Sequence, residues 1–182
     1  MNVLIITASP NVEGLTAACS NAAKAGAEAA GANVVTTNLN KLHIGNCQAC
    51  GNGWGTCRNE HKCQVQDDFQ ELHASLSGFD AFVMITPVYW GDLSESAKAF
   101  TDRARRCEAL KQDKTVFEAK PFMAIAAAGG SGNGLVSCLA TMERFLTHVK
   151  ADKFDLLGIT QKSRGYKLDT LYAASKAMIS YA

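Results

Sequence analysis

Four cysteines crowd one short stretch, Cys47-x2-Cys50-x6-Cys57-x5-Cys63. Their thiolates are soft donors of the kind that select an iron-sulfur cluster, zinc or copper(I). Gly51, Gly53 and Gly55 lie in the longest gap and let it fold back, so ligation by all four is sterically open. The residues by themselves leave three readings: a cluster, structural zinc, or thiols and a disulfide pair without metal. Three further stretches are equipped for binding. Ser9 to Thr16 offers hydroxyls at Ser9 and Thr16, the Asn11 amide and backbone N–H groups ahead of a helical segment, a setting that favours phosphate. Pro87 to Leu93 presents Tyr89 and Trp90, large planar side chains suited to a flat aromatic ligand. Gly129 to Gly134 is rich in glycine. None of these is a Walker A loop, which needs Gly-Lys-Ser/Thr, and none sits in the G-x-G-x-x-G context of a dinucleotide turn.

The elements that must position these residues alternate. NVLIIT at Asn2 to Thr7 is a β-branched run of the sort covered on both faces. An Ala-rich helix follows to Ala30, with Thr16 as its cap and Gly31 as its stop, and Asn33 to Leu39 is a second strand. Residues 43–66 are a cysteine-rich loop insertion with little apolar periodicity. Asp67 opens a helix with Gln70 as capping-box partner, running to Gly78. A buried strand spans Asp80 to Thr86, a helix Glu95 to about Leu110, a fourth strand Pro121 to Ala128, a helix Leu135 to Val149, a fifth strand Phe154 to Ile159, and a last helix Asp169 to Ile179.

Five strands alternating with helices predict an α/β, doubly wound five-stranded parallel sheet with three-layer α/β/α architecture, in one domain over 1–182. Loops at the carboxyl ends of such strands are where ligands bind. With 18 Lys and Arg against 17 Asp and Glu the net charge is +1 and no charge block stands out, so nothing argues for nucleic acid. The N-terminal VLIIT run lacks the features of a leader, and no apolar run is long enough to span a bilayer, so the expectation is a cytoplasmic protein without a membrane partner. Seven cysteines in a reducing compartment read as thiols, ligands or redox groups rather than structural bridges.

A hydroxyl-rich phosphate loop joined to an aromatic loop is the arrangement expected for a mononucleotide flavin in a flavodoxin-like strand order. The motifs Ser9-Pro10-Asn11-x3-Leu15-Thr16, the four-cysteine segment running into Asp67-Asp68, and TPVYWGDLS-x3-K-x-F-x-DR from Thr86 to Arg103 resemble the NAD(P)H-dependent FMN reductase superfamily, in its iron-sulfur flavoprotein branch. The likeness covers the chain to about Val149. It implies FMN with its phosphate on Ser9, Asn11, Leu15 and Thr16, and its ring against Pro87, Val88, Tyr89, Trp90 and Gly91. It also implies contacts to the ring from Gly129, Gly130 and Ser131. NAD(P)H would be the cosubstrate, a [4Fe-4S] cluster would sit on Cys47, Cys50, Cys57 and Cys63, and the flavin would lie near the interface of a homodimer or homotetramer. The Cys50 to Cys57 gap is longer than that branch's compact spacing. The implied function is electron transfer from NAD(P)H or a ferredoxin-type donor to a quinone, other small acceptor or protein, with no side-chain acid or base required. The alternatives are a flavodoxin-like electron carrier or thiol redox sensor without substrate turnover, and a zinc-stabilised binding module. Against the ligand readings, Ser9 and Thr16 also suit turn and cap duty, and Tyr89 and Trp90 an interface. Trp54 is read as a shield for the cysteines or a packing residue, and Cys19, Cys107 and Cys138 as small buried apolar residues. His43, His61, His73 and His148 show no ligand spacing. Arg103, Arg105 and Arg106 are read as a solvated or subunit-facing surface, with nucleotide phosphate as a lesser alternative.

Overall fold

The computed structural model describes residues 1–181. Its strands β1 (Asn2–Thr7), β2 (Asn33–Asn38), β3 (Ala81–Pro87), β4 (Pro121–Ala128) and β5 (Asp152–Thr160) form one sheet in the order β2-β1-β3-β4-β5, and every neighbouring pair is parallel. Parallel neighbours require crossovers, and the chain supplies them with α1 (Leu15–Ala29), α4 (Phe69–Ser75), α5 (Glu95–Glu108) and α6 (Leu135–His148); α7 (Arg164–Tyr181) follows the last strand. This is the flavodoxin-like strand order, whose topological switch point lies between β1 and β3.

Alternation along the strands separates two cores. Val3, Ile5, Val83 and Ile85 pack with Leu15, Cys19 and Ala23 of α1 and Leu171 and Met178 of α7. Leu4, Ile6, Phe82 and Met84 face the opposite layer, with Phe69, Phe100, Cys107, Phe145 and Leu146. β3 is buried from Ala81 to Thr86 and β4 along its whole length, as central parallel strands covered on both sides must be. α1 and α7 lie close enough that a Cβ on Gly26 would stand 2.1 Å from the Tyr172 carbonyl oxygen.

The sequence reading of the elements needs three amendments. Thr16 is not the cap of α1: the helix starts at Leu15 with Gly14 at the N-cap, and Thr16 is buried inside the first turn. The reason is local, since the Asn11 side chain takes the Glu13 N–H at 3.1 Å and the loop closes earlier. The cysteine loop is not wholly irregular. It holds one regular helical turn, α3 (Thr56–Asn59), preceded by a kinked turn, α2 (Cys50–Gly53), whose Gly51 (φ +59°, ψ −128°) and Asn52 are not helical. Finally, α7 begins at Arg164 rather than Asp169, because Ser163 and Thr160 exchange hydrogen bonds that turn the chain directly into the helix.

Candidate functional site

The loops after β1, β3 and β4 leave the same edge of the sheet, because all three strands run in one direction and lie side by side. The strand ladders continue past the strands into the loops: the Ala8 N–H reaches Ile85 O and the Val88 N–H reaches Ala127 O, each at 3.0 Å.

In the first loop Ser9 is buried and its Oγ accepts the Asn11 N–H at 3.2 Å. Asn38, at the end of β2, donates to Ser9 O at 3.1 Å and fixes the loop from the edge. A Cβ at Gly14 would fall 2.8 Å from the Asn11 amide nitrogen, so glycine lets that side chain fold over the start of α1. The first bond into the helix, Ala18 N–H to Gly14 O, leaves the N–H groups of Leu15, Thr16 and Ala17 without an intrahelical acceptor. Leu15 itself packs into the core, so only its backbone is available to a ligand.

The second loop turns on Tyr89 to Asp92, whose N–H and C=O groups exchange two bonds of 3.0 Å. Both central residues are left-handed, Trp90 at φ +53° and Gly91 at φ +80°, as in a type I′ turn. A tryptophan there is strained by about 1–3 kcal/mol. Its side chain is fully exposed, so no packing among the described residues offsets the strain. Ser94 ties this loop to the first one: its Oγ donates to Ala8 O at 2.8 Å, its N–H donates to Thr86 Oγ1 at 3.1 Å, and it caps α5 through the Ala97 N–H.

The third loop touches the second through backbone. A Cβ on Gly134 (φ +82°) would lie 2.5 Å from Gly91 Cα, and Ser137 Oγ donates to Gly91 O at 2.6 Å. Between them opens a cleft of about 490 Å³ that includes Val88, Trp90, Gly91, Gly129, Gly130 and Ser131 in its walls. The structure thus gathers these six of the sequence-nominated residues around one cleft. Ser9, Asn11, Leu15 and Thr16 stand on the neighbouring loop of the same edge, outside its walls, as do Pro87 and Tyr89.

The cysteines form a second centre. Cys47, Cys50, Cys57 and Cys63 all line one small cavity of about 20 Å³. Among the described residues no three Cys, His, Asp or Glu side chains converge tightly enough for a single metal ion, and every cysteine is a free thiol. The loop is held shut by close approach: a Cβ on Gly55 would meet Gln64 Oε1 at 2.3 Å and Cys50 Cβ at 2.9 Å. The consecutive aspartates anchor its start, Asp68 accepting the His43 N–H at 2.7 Å and Asp67 the Gly45 N–H at 2.9 Å.

Two arginines of α5 complete this cavity, and here the sequence reading is corrected. Arg103 is not a surface residue; it is 1% exposed, paired with Asp67 at 2.6 Å, bonded to the carbonyls of Gly45 and Val65 at 3.0 Å, and stacked 4.3 Å over the Phe69 ring. Burial alone would weaken its charge, but the Asp67 carboxylate and the Cys63 group beside it hold the guanidinium above its ordinary value. Burial would likewise raise the Asp67 carboxyl; the bonds from Arg103, Gly45 and Phe69 outweigh this and keep it below the usual range. Arg106 donates to Cys47 Sγ at 3.1 Å and lies 4.3 Å over Trp54. The missed signal was spacing, since Arg103 falls one turn after Phe100, on the stripe with Ala104 and Cys107. Cys19, Cys107 and Cys138 are buried as expected, and burial pushes each thiol up to about 12.

A 2-1-3-4-5 parallel sheet with a hydroxyl-bearing turn, an aromatic turn and a glycine turn at its switch-point edge defines a flavodoxin-like α/β protein. Among solved structures, a flavone reductase superposes with TM-score 0.78 at 16% identity, covering 99% of this chain and 62% of that one. The NAD(P)H:quinone oxidoreductase of Methanothermobacter marburgensis gives 0.76 at 17%, covering 98% and 96%. Within that fold the chain belongs to the NADPH-dependent FMN reductase family, which residues 1–152 match. An iron-sulfur flavoprotein of Archaeoglobus fulgidus is 38% identical over 86 residues, 47% of this chain and 41% of that protein. Another, from Methanosarcina thermophila, is 28% identical over 99 residues, 54% and 48%. A third, from Methanocaldococcus jannaschii, is 28% identical over 145 residues, 80% and 70%. The match therefore spans less than half the length of the first two relatives. Among the described residues no helix is long and apolar enough to cross a membrane.

Proposed function

We propose that this chain is an FMN-dependent oxidoreductase that takes electrons from NAD(P)H or a ferredoxin-type donor and passes them to a quinone, another small acceptor or a protein. The observation that carries this reading is the convergence of three unlike turns on one edge of the sheet, in a chain of the FMN reductase family. The residues fit the flavin. Ser9, Asn11 and the unpartnered N–H groups of Leu15 and Thr16 would hold its phosphate, where donors and helix dipole act together and no lysine is needed. A cleft of about 490 Å³ is of ligand size. Pro87 to Gly91 would lie along the ring, with Trp90 over a face or across its entrance, and Gly129, Gly130 and Ser131 opposite. When bound, FMN supplies the hydride and single-electron chemistry. The chain's own part is to fix the ring between two backbone-rich turns, to offer N–H donors along its edge and to limit water with the Trp90 side chain.

Four soft thiolates around one cavity are a donor set of the kind that selects an iron-sulfur cluster. Cys47, Cys50, Cys57 and Cys63 would be its ligands, in accord with the relatives' name, iron-sulfur flavoprotein. A homodimer or homotetramer would give the exposed Trp90 ring a covering surface. An anaerobic absorption spectrum of the purified protein, with flavin, iron and acid-labile sulfide assays, tests both cofactors. A colourless protein that takes up no FMN would refute the reading. Steady-state oxidation of NADPH or NADH with quinone or ferricyanide separates a reductase, which turns over, from a carrier, which does not.

A further inference from the structure

Arg103 and Arg106 stand three residues apart on α5, so both guanidiniums reach the same side of the helix, and both line the four-cysteine cavity. Their electrostatic situations differ. Arg103 is neutralised by Asp67, and its two terminal nitrogens are used on Asp67, Gly45 and Val65. Its Nε is buried and has no hydrogen-bond partner among the described residues. A buried N–H left unpaired is unfavourable. Arg106 has the opposite character. Its Nε already donates to Cys47 Sγ at 3.1 Å, a terminal nitrogen donates to Gly53 O, and its plane stacks on Trp54. Among the described residues no carboxylate lies within 4 Å of it. One guanidinium is thus built in with its countercharge, while the other points a free positive charge at sulfur.

We infer that Arg106 is the charge partner of the cysteine centre and raises the reduction potential of the cluster held there, while Arg103, neutralised by Asp67, positions the loop. This rests on the proposal that Cys47, Cys50, Cys57 and Cys63 ligate a [4Fe-4S] cluster. The physics is direct: reduction adds one negative charge to a group that already carries four thiolates, so a fixed cation in contact favours the reduced form. Net charge and hydrogen bonds to the sulfurs are among the levers that set cluster potentials. The Trp54 ring matters because it covers the guanidinium and limits water screening. Asp67 does not cancel the effect, since it is engaged by Arg103 and by the Gly45 and Phe69 N–H groups.

The test compares the full-length wild-type protein with Arg106→Gln and Arg106→Lys, all purified anaerobically, by iron and sulfide content and by potentiometric titration of the cluster signal. Arg106→Gln keeps N–H donors and removes the charge; its reduced form should lose about tenfold or more in relative stability, a fall of roughly 59 mV for a one-electron couple. Arg106→Lys keeps the charge and should recover at least half of that fall, although it cannot reproduce the planar stacking on Trp54. Arg105→Gln removes the same charge from a side chain outside the cavity and should leave the potential near wild type. A wild type without iron and sulfide defeats the cluster reading itself. A fully loaded Arg106→Gln at the wild-type potential overturns the inference and leaves the cluster reading intact. If Arg106→Gln does not load, a loaded Arg106→Lys at the wild-type potential supports the charge requirement, and failure of both overturns tuning in favour of a purely structural role.

Discussion

Replacing Asp67 by asparagine removes the carboxylate paired with Arg103 while leaving its shape in place. Arg103 is 1% exposed and the Asp67 side chain 13%, with the pair at 2.6 Å, so the guanidinium would be left charged inside the protein without a carboxylate partner. Breaking a buried pair from one side typically costs about 3–5 kcal/mol. Asparagine retains one acceptor for the Gly45 or Phe69 N–H, which places the expected loss near the lower end, about 3 kcal/mol. For a chain of this size that corresponds to a fall of roughly 6–12 °C in melting temperature. The effect has a pH signature. The folded-state carboxyl lies below its unfolded value of 3.8, so the stability it contributes is complete above that value and is lost as pH falls through the folded-state value. Urea unfolding followed by circular dichroism, at matched FMN content, should therefore show the full gap between wild type and Asp67→Asn at pH 7 and a narrowing gap below about pH 4. A difference under about 1 kcal/mol at pH 7, or one that stays constant down to pH 3, would refute the reasoning.

Gly134→Ala introduces a Cβ 2.5 Å from Gly91 Cα at a left-handed position, and should cost about 1–3 kcal/mol and weaken FMN binding measured by fluorescence titration. Trp90→Gly should raise stability in thermal melts by about 1 kcal/mol by relieving the φ of +53°, while FMN affinity falls. Ser9→Ala should raise the FMN dissociation constant about tenfold, the loss of one hydrogen bond to a charged group. Cys57→Ala should purify with depleted iron and sulfide, whereas Cys138→Ala, buried on α6 and outside the cavity, should keep the wild-type content.

The central strands and the long helices were legible because their signals are local. β4 was bounded at Pro121 and Ala128 by a proline and a glycine pair, and it is found there. The Asp67–Gln70 spacing gives half of a capping box, Asp67 N–H donating to Gln70 Oε1 at 3.1 Å, but Asp67 Oδ1 takes the Phe69 N–H at 3.0 Å and the helix starts at Phe69 with Asp68 at its N-cap. The cysteine loop was legible only as chemistry. Its backbone is decided by side-chain bonds such as Gln64 Oε1 to the Thr56 N–H and Thr56 Oγ1 to Lys62 O, which carry no period. Ser94 read as one more serine after an aromatic turn, and its bridge to Ala8, 86 positions away, exists only once β1 and β3 are neighbours.

By itself the sequence determined the alternation of strands and helices, the chemistry of each turn and the four thiol donors, because apolar period, cap spacing and side-chain type act over a few residues. Only the tertiary structure decided that Trp90 is exposed and strained, that the glycine turn after β4 meets Gly91, and that Arg103 lies inside while Arg106 faces sulfur. Those outcomes depend on groups brought together from distant parts of the chain, where burial and charge are properties of the neighbours a residue acquires rather than of the residue.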